Sequence, residues 1–149
     1  MADGDMLRVE VRGDREVLRA LDGLPRDAVR ELKDGQQRIA RSLATTIRAA
    51  ARANSRQSAR ASRTVRTARG VSPIVVAGPH PLLFGSEFGA TARFGWYRRA
   101  RYRNSPARQF RRHLNRGSYW FFRTQQAERP RVQVEANEIA AAVVRRWSA

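Results

Sequence analysis

Arg38-Ile39-Ala40-Arg41-Ser42-Leu43-Ala44-Thr45-Thr46-Ile47-Arg48-Ala49-Ala50-Ala51-Arg52 is the stretch that decides the fold. Ile39, Leu43 and Ile47 recur every four residues among alanines, and Val29 and Leu32 extend the series upstream. Apolar residues at that spacing line one side of an α-helix. The spacing predicts one long helix from Pro25, at its first position, to about Ala53. Gly35 is its weak point, costing about 1 kcal/mol relative to alanine. At about 100° per residue, Arg38, Arg41, Arg48 and Arg52 share the face opposite the apolar stripe. A continued helix would add Arg56, Arg60 and Arg63 to that face. Two readings stand beside each other: a solvated helix surface, or a face turned toward DNA phosphates.

Upstream, Leu7, Val9 and Val11 alternate with Arg8, Glu10 and Arg12, the period-two pattern of a strand with one buried side. Gly13 ends it. Asp14 is placed to cap a short helix carrying Val17, Leu18 and Leu21, with Gly23 as its stop. Downstream, Asn54 to Arg69 is rich in serine, arginine and alanine, the composition of a loop or extended arm. Its second half, Ser62 to Arg69, has β-branched residues and can pair across Gly70 with Ile74-Val75-Val76-Ala77. We therefore expect an arm or hairpin over 54–78. Leu82 to Gly89 reads as an apolar turn with two glycines. Residues 91–116 form a basic stretch dotted with Phe94, Trp96, Tyr97, Tyr102 and Phe110, expected to be a long loop ordered mainly in an assembly.

Gly117-Ser118-Tyr119-Trp120-Phe121-Phe122 is the most aromatic cluster in the chain and belongs in the core or between subunits. Pro130 then opens a final helix, in which Val132, Ala136, Ile139, Val143 and Trp147 form one apolar seam. Glu135 and Glu138 lie in its first half and Arg145 and Arg146 in its last turn, as the helix dipole prefers. Residues 1–149 thus read as one α+β domain: a small antiparallel sheet packed against a long helix and a C-terminal helix, with extended arginine-rich loops. The hydrophobic content of 42% suits one modest core.

Charge is uneven along the chain. The net value is +17, and every basic residue but Lys33 is arginine. Residues 35–127 hold 19 arginines and one acid, Glu87, whereas residues 1–34 hold seven basic and nine acidic side chains. Arginine's planar fork suits phosphate, and a GC-rich genome would produce the same preference. A segment so charged repels itself unless an anion or solvent relieves it, so contact with a polyanion is expected. The sequence has no cysteine and hence no disulfide or thiolate chemistry, which suits a chain made in the cytoplasm. It has no apolar run of the length a membrane span needs, and Asp3 and Asp5 stand where a secretory leader would be basic.

Enzyme readings find no constellation. His80 and His113 are far apart, with neither cysteine nor an acidic cluster beside them to complete a metal site. No nucleophile elbow or phosphate-binding glycine loop is present, and Gly85 and Gly89 read as turn residues. Glu87 among so many arginines reads as an ion-pair partner rather than a general base. We assign no catalytic residue, cofactor or metal. Arg98, Arg99, Arg101 and Arg103 interleave with Tyr97 and Tyr102, followed by Arg108, Arg111 and Arg112, a mixture able to hold phosphates and stack bases. No sequence-reading module is recognisable, so DNA contact would be indifferent to sequence.

The order of these elements, with the Glu87-Phe88-Gly89 turn and the Gly117-x-x-Trp120-Phe121-Phe122 block, resembles a bacteriophage neck family. This family comprises tail-completion or tail-to-head joining proteins related to minor tail protein Z of lambda-like phages. The resemblance covers most of the chain and is best from about Ser62 onward. It implies a virion subunit that forms a ring, typically a hexamer, at the head-proximal end of the tail. Tail-tube or tail-terminator subunits would lie on one side and head-closure or connector subunits on the other, with packaged DNA passing through. In that setting Arg38, Arg41, Arg48, Arg52, Arg56, Arg60 and Arg63 are candidates for the DNA channel. Phe88, Trp120, Phe121, Phe122, Ile139, Val143 and Trp147 are candidates for the core or the subunit interface. Two other readings remain: a sequence-independent nucleoid-type or RNA-binding protein, and the tail-terminator ring itself.

Overall fold

The computed structural model describes residues 6–10, 19, 22–70, 72–90 and 110–148. Its elements are β1 (Leu7–Glu10), α1 (Arg26–Asn54), α2 (Arg56–Ala61), a 3-10 turn (Ser62–Thr64), β2 (Arg66–Ala68), β3 (Ile74–Ala77), α3 (Leu83–Phe88) and α4 (Phe121–Trp147). The architecture is α+β, with a three-stranded antiparallel sheet of order β1-β3-β2. Leu7 pairs with Ala77 and Glu10 with Ile74 along one edge of β3, and Arg66 pairs with Val76 along the other. The hairpin expected across Gly70 is therefore present, limited to Arg66–Ala68 on its first strand.

α1 is the element on which the rest packs. Its Ile39, Leu43, Ile47 and Ala51 share one core with Leu7 and Val9 of β1, Val75 and Ala77 of β3, and Trp120, Phe121, Val132 and Ala136. A second cluster joins Ala28 and Leu32 to Ala140 and Val143, with Leu24, Ile139 and Trp147 packed against it. α4 runs antiparallel to α1: Glu31 accepts from Trp147 Nε1 at 3.0 Å, while Gly35 faces Ile139 further along. The alternation in β1 puts Leu7 and Val9 inside and leaves Arg8 and Glu10 exposed.

Several expectations are corrected. Gly35 is a requirement for close approach and not merely a weak helix position. A Cβ added there would stand 2.6 Å from Ile139 Cγ2, so the missing side chain lets α1 and α4 touch. Asn54 to Thr64 does not form an extended arm. The backbone becomes extended for one residue at Ser55 (φ −164°, ψ 166°), and Ser55 then caps α2 by accepting from Ser58 N at 3.1 Å. Ser58 is buried and its Oγ donates to Ala51 O at 2.6 Å, a second and shorter bond to a carbonyl that also accepts from Ser55 N at 3.4 Å where α1 ends. Leu83–Phe88 is a helix and not a plain turn. Finally, α4 starts at Phe121, nine residues before the proline expected to open it, and Pro130 lies inside the helix. The start at Phe121 is hidden in the sequence because three of its first donors are met by distant Glu87, with Ser118 Oγ adding a local cap by accepting from Arg123 N at 2.9 Å. Of the helix expected over 14–21 only Arg19 is described, as helical and exposed; the rest of it, Val11 and most of the basic loop (residues 91–109) lie outside the described residues.

Candidate functional site

Glu87 is fully buried, and its carboxylate is spent on the start of α4. Oε2 accepts from Trp120 N at 3.1 Å and Phe121 N at 2.8 Å, and Oε1 accepts from Phe122 N at 3.0 Å and from Ser118 Oγ. Four donors around one carboxylate satisfy a buried charge that would otherwise be costly. The negative group also sits at the positive end of a 27-residue helix, where it is stabilised further. Among the described residues it meets no arginine, so the ion-pair reading of Glu87 is replaced by helix capping.

The residues flanking Glu87 complete the joint. Phe88 stacks on Phe122 with centroids 6.2 Å apart, and Ser86 Oγ accepts from Trp120 Nε1 at 3.2 Å. The Glu87 carbonyl accepts from Tyr119 N at 2.8 Å, and the Phe88 carbonyl from Leu114 N at 2.9 Å. Gly89 has φ +76°, and a Cβ there would collide with the Arg112 carbonyl oxygen. Glutamate, aromatic and glycine are each needed at their own position. Trp120, Phe121 and Val143 are buried, while Phe88, Phe122, Ile139 and Trp147 are partly buried and packed against the two core clusters.

The seven arginines proposed from the helical wheel do not share one surface. The bend at Ser55 folds α2 back, and Arg48, Arg52, Arg60 and Arg63 come to line one cleft of about 370 Å³, with Ala59 and Ser62 in its wall. Arg48 is anchored there, its Nη2 donating to Val65 O at 2.5 Å. Arg41 lines a different hollow of about 750 Å³ between α1 and the hairpin tip, together with Arg26, Arg30, Lys33, Asp34 and Arg69. Arg38 lies toward Glu31, whose carboxyl is held below the usual range first by the Trp147 hydrogen bond and then by Arg146 and Arg38. Arg56 is exposed on α2 and lines neither hollow.

Arg111, expected among phosphate-holding residues, and His80 take roles that their sequence setting did not suggest. Arg111 donates to Asn54 Oδ1 at 2.9 Å and to the Asn54 carbonyl at 2.6 Å, placing a cation on the C-terminus of α1, and it lies 5.3 Å from the Tyr119 ring centroid. His80 accepts from Leu82 N at 3.0 Å through Nδ1, and burial followed by the Arg63 charge holds its pKa below the ordinary value. Among the described residues no three His, Asp or Glu side chains gather closely enough to hold a metal ion, and no helix is long and apolar enough to cross a membrane.

No family model, no curated protein and no solved structure matches the chain. The functional reading rests on its own geometry and on the resemblance carried by its motifs.

Proposed function

We propose that this chain is a structural, non-catalytic subunit of the neck of a long-tailed bacteriophage, a tail-completion or tail-to-head joining protein that works in a ring around passing DNA. One observation carries the reading. The two short motifs behind the resemblance, Glu87-Phe88-Gly89 and Gly117-x-x-Trp120-Phe121-Phe122, are two halves of one device, in which the first caps and packs the helix that the second begins. Either motif alone is short enough to arise by chance, but a buried four-donor joint between them is a specific structural requirement. The long helix, the hairpin and the C-terminal helix surround that joint in the order the resemblance implies.

The partners in this reading are further copies of the chain, tail-tube or terminator subunits, and head-closure subunits. The test is to interrupt the gene in a phage that carries it and to image the products. Filled heads and free, unjoined tails are the expected result, with joining restored by the intact protein. Normal particles lacking the protein altogether would overturn the reading. The basic cleft favours a second one, a sequence-independent nucleic-acid-binding protein acting outside a particle. Mass spectrometry of purified virions separates the two, because that reading expects the chain to be absent from them. A terminator ring differs in position rather than chemistry, and an image of the intact neck distinguishes it.

A further inference from the structure

We propose that the cleft between the end of α1 and the α2 turn is a phosphate-binding site that grips the backbone of duplex DNA through Arg48, Arg52, Arg60 and Arg63. The neck reading explains why DNA would be present; the cleft alone carries how it is held.

Four guanidinium groups surround one hollow, and among the described residues no acidic side chain lines it. Arg52, Arg60 and Arg63 make no hydrogen bond or ion pair with any described residue, while Arg48 is fixed by the Val65 carbonyl. Like charges held together without a counter-charge raise the local potential and attract an anion. The arrangement is built by the fold: a continuous helix would have spread these side chains along its axis, whereas the extended residue at Ser55 turns Arg60 and Arg63 back toward Arg48 and Arg52.

Arginine forks pair with either carboxylate or phosphate, but four around one hollow suit the several exposed oxygens of a phosphate. Among the described residues the wall contains no aromatic ring, and the Ser62 hydroxyl is already committed to the Ala59 carbonyl at 2.8 Å. The described wall offers a base neither a ring nor a free amide or hydroxyl, so the four arginines are its polar contacts, and we assign them to the phosphates of the backbone. A site of this kind holds DNA without regard to sequence and lets it slide.

The test uses the full chain, a short labelled duplex in two unrelated sequences, and a salt titration of binding. The first variant replaces Arg52, Arg60 and Arg63 with alanine and keeps Arg48, which also holds the fold. The second removes the same charge from exposed positions elsewhere: Arg116→Ala, Arg129→Ala and Arg145→Ala. Each phosphate contact contributes about 0.9 to the slope of log affinity against log salt. The cleft variant is expected to lower that slope by about 2 to 3, to weaken both duplexes equally and to keep wild-type circular dichroism. The second variant should leave the slope nearly unchanged. Equal losses in the two variants would mean diffuse attraction and overturn the site, as would an unchanged slope in the cleft variant. Pyrophosphate displacing neither duplex at low millimolar concentration would also overturn it. Because the measurement is made on the isolated chain, its failure leaves the neck reading standing, and absence from virions leaves the site standing.

Discussion

Glu87 and the arginine cleft hold charge in opposite ways. The single anion of the central region is sealed from water and met by four donors, whereas four cations stand around an open hollow with no acid beside them among the described residues. A buried charge with every lone pair occupied organises the chain around it and is expensive to disturb. An exposed cluster without counter-charge adds little to the fold, and apart from Arg48, which is tied to the Val65 carbonyl, its members can be removed without unfolding the chain. The difference separates residues kept for structure from residues available to a partner, within one chain and less than forty residues apart in sequence.

The largest expected effect tests the buried half of this contrast. Glu87→Ala leaves three backbone N–H groups and a serine hydroxyl without their acceptor, and we expect a loss of about 3–5 kcal/mol in urea unfolding. Glu87→Gln keeps one carbonyl acceptor and should cost about half as much. If Glu87→Ala unfolds at the wild-type midpoint, the joint is not what starts α4.

Gly35→Ala comes next. Helix propensity alone predicts a gain of about 1 kcal/mol, but the added methyl meets Ile139 and should instead cost about 1–3 kcal/mol. Combining it with Ile139→Val should recover part of the loss, which separates a packing clash from a backbone effect. A net gain in the single variant would show that α1 and α4 are free to move apart.

Smaller still is a pH effect at the edge of the cleft. His80 is held below its ordinary value of 6.5 by burial and by Arg63, so the unfolded chain takes up its proton first as the pH falls. Its contribution is complete above pH 6.5 and is lost as the pH drops through that value toward the lower folded-state pKa. His80→Gln should flatten this part of the stability profile, and a profile identical in the two proteins would remove the histidine from consideration.

The smallest change in stability is expected where the charge is greatest. Arg52→Ala and Arg60→Ala together should leave the urea midpoint where it is or raise it slightly at low salt, because they relieve repulsion and break no contact among the described residues. A clear destabilisation would mean that the cleft serves the fold after all.

Much of the architecture was legible in periodicity. The Leu7 and Val9 alternation, the Ile39-Leu43-Ile47 stripe, the Val132 to Val143 seam and the pairing across Gly70 are local patterns, and each lies where local geometry puts it. The candidate site was legible only in part. A helical wheel assumes one axis, so it ran the α1 face on through Arg56, Arg60 and Arg63 and missed the bend at Ser55 that turns Arg60 and Arg63 back toward Arg48 and Arg52. Glu87 carried a faint signal, a lone acid in an apolar setting, but linking it to the aromatic start of α4 needs contacts 33 to 35 residues apart.

By itself the sequence determined that this chain has one long amphipathic helix, a small sheet, a second amphipathic helix at its end and a strongly basic middle, because burial periodicity and net charge are written along the chain. Tertiary structure alone decided that Glu87 starts α4, that Gly35 sits against Ile139 and that four of the arginines share a cleft. Each of these depends on which distant groups meet, and a buried carboxylate or an absent methyl takes its meaning from the neighbour that folding brings to it.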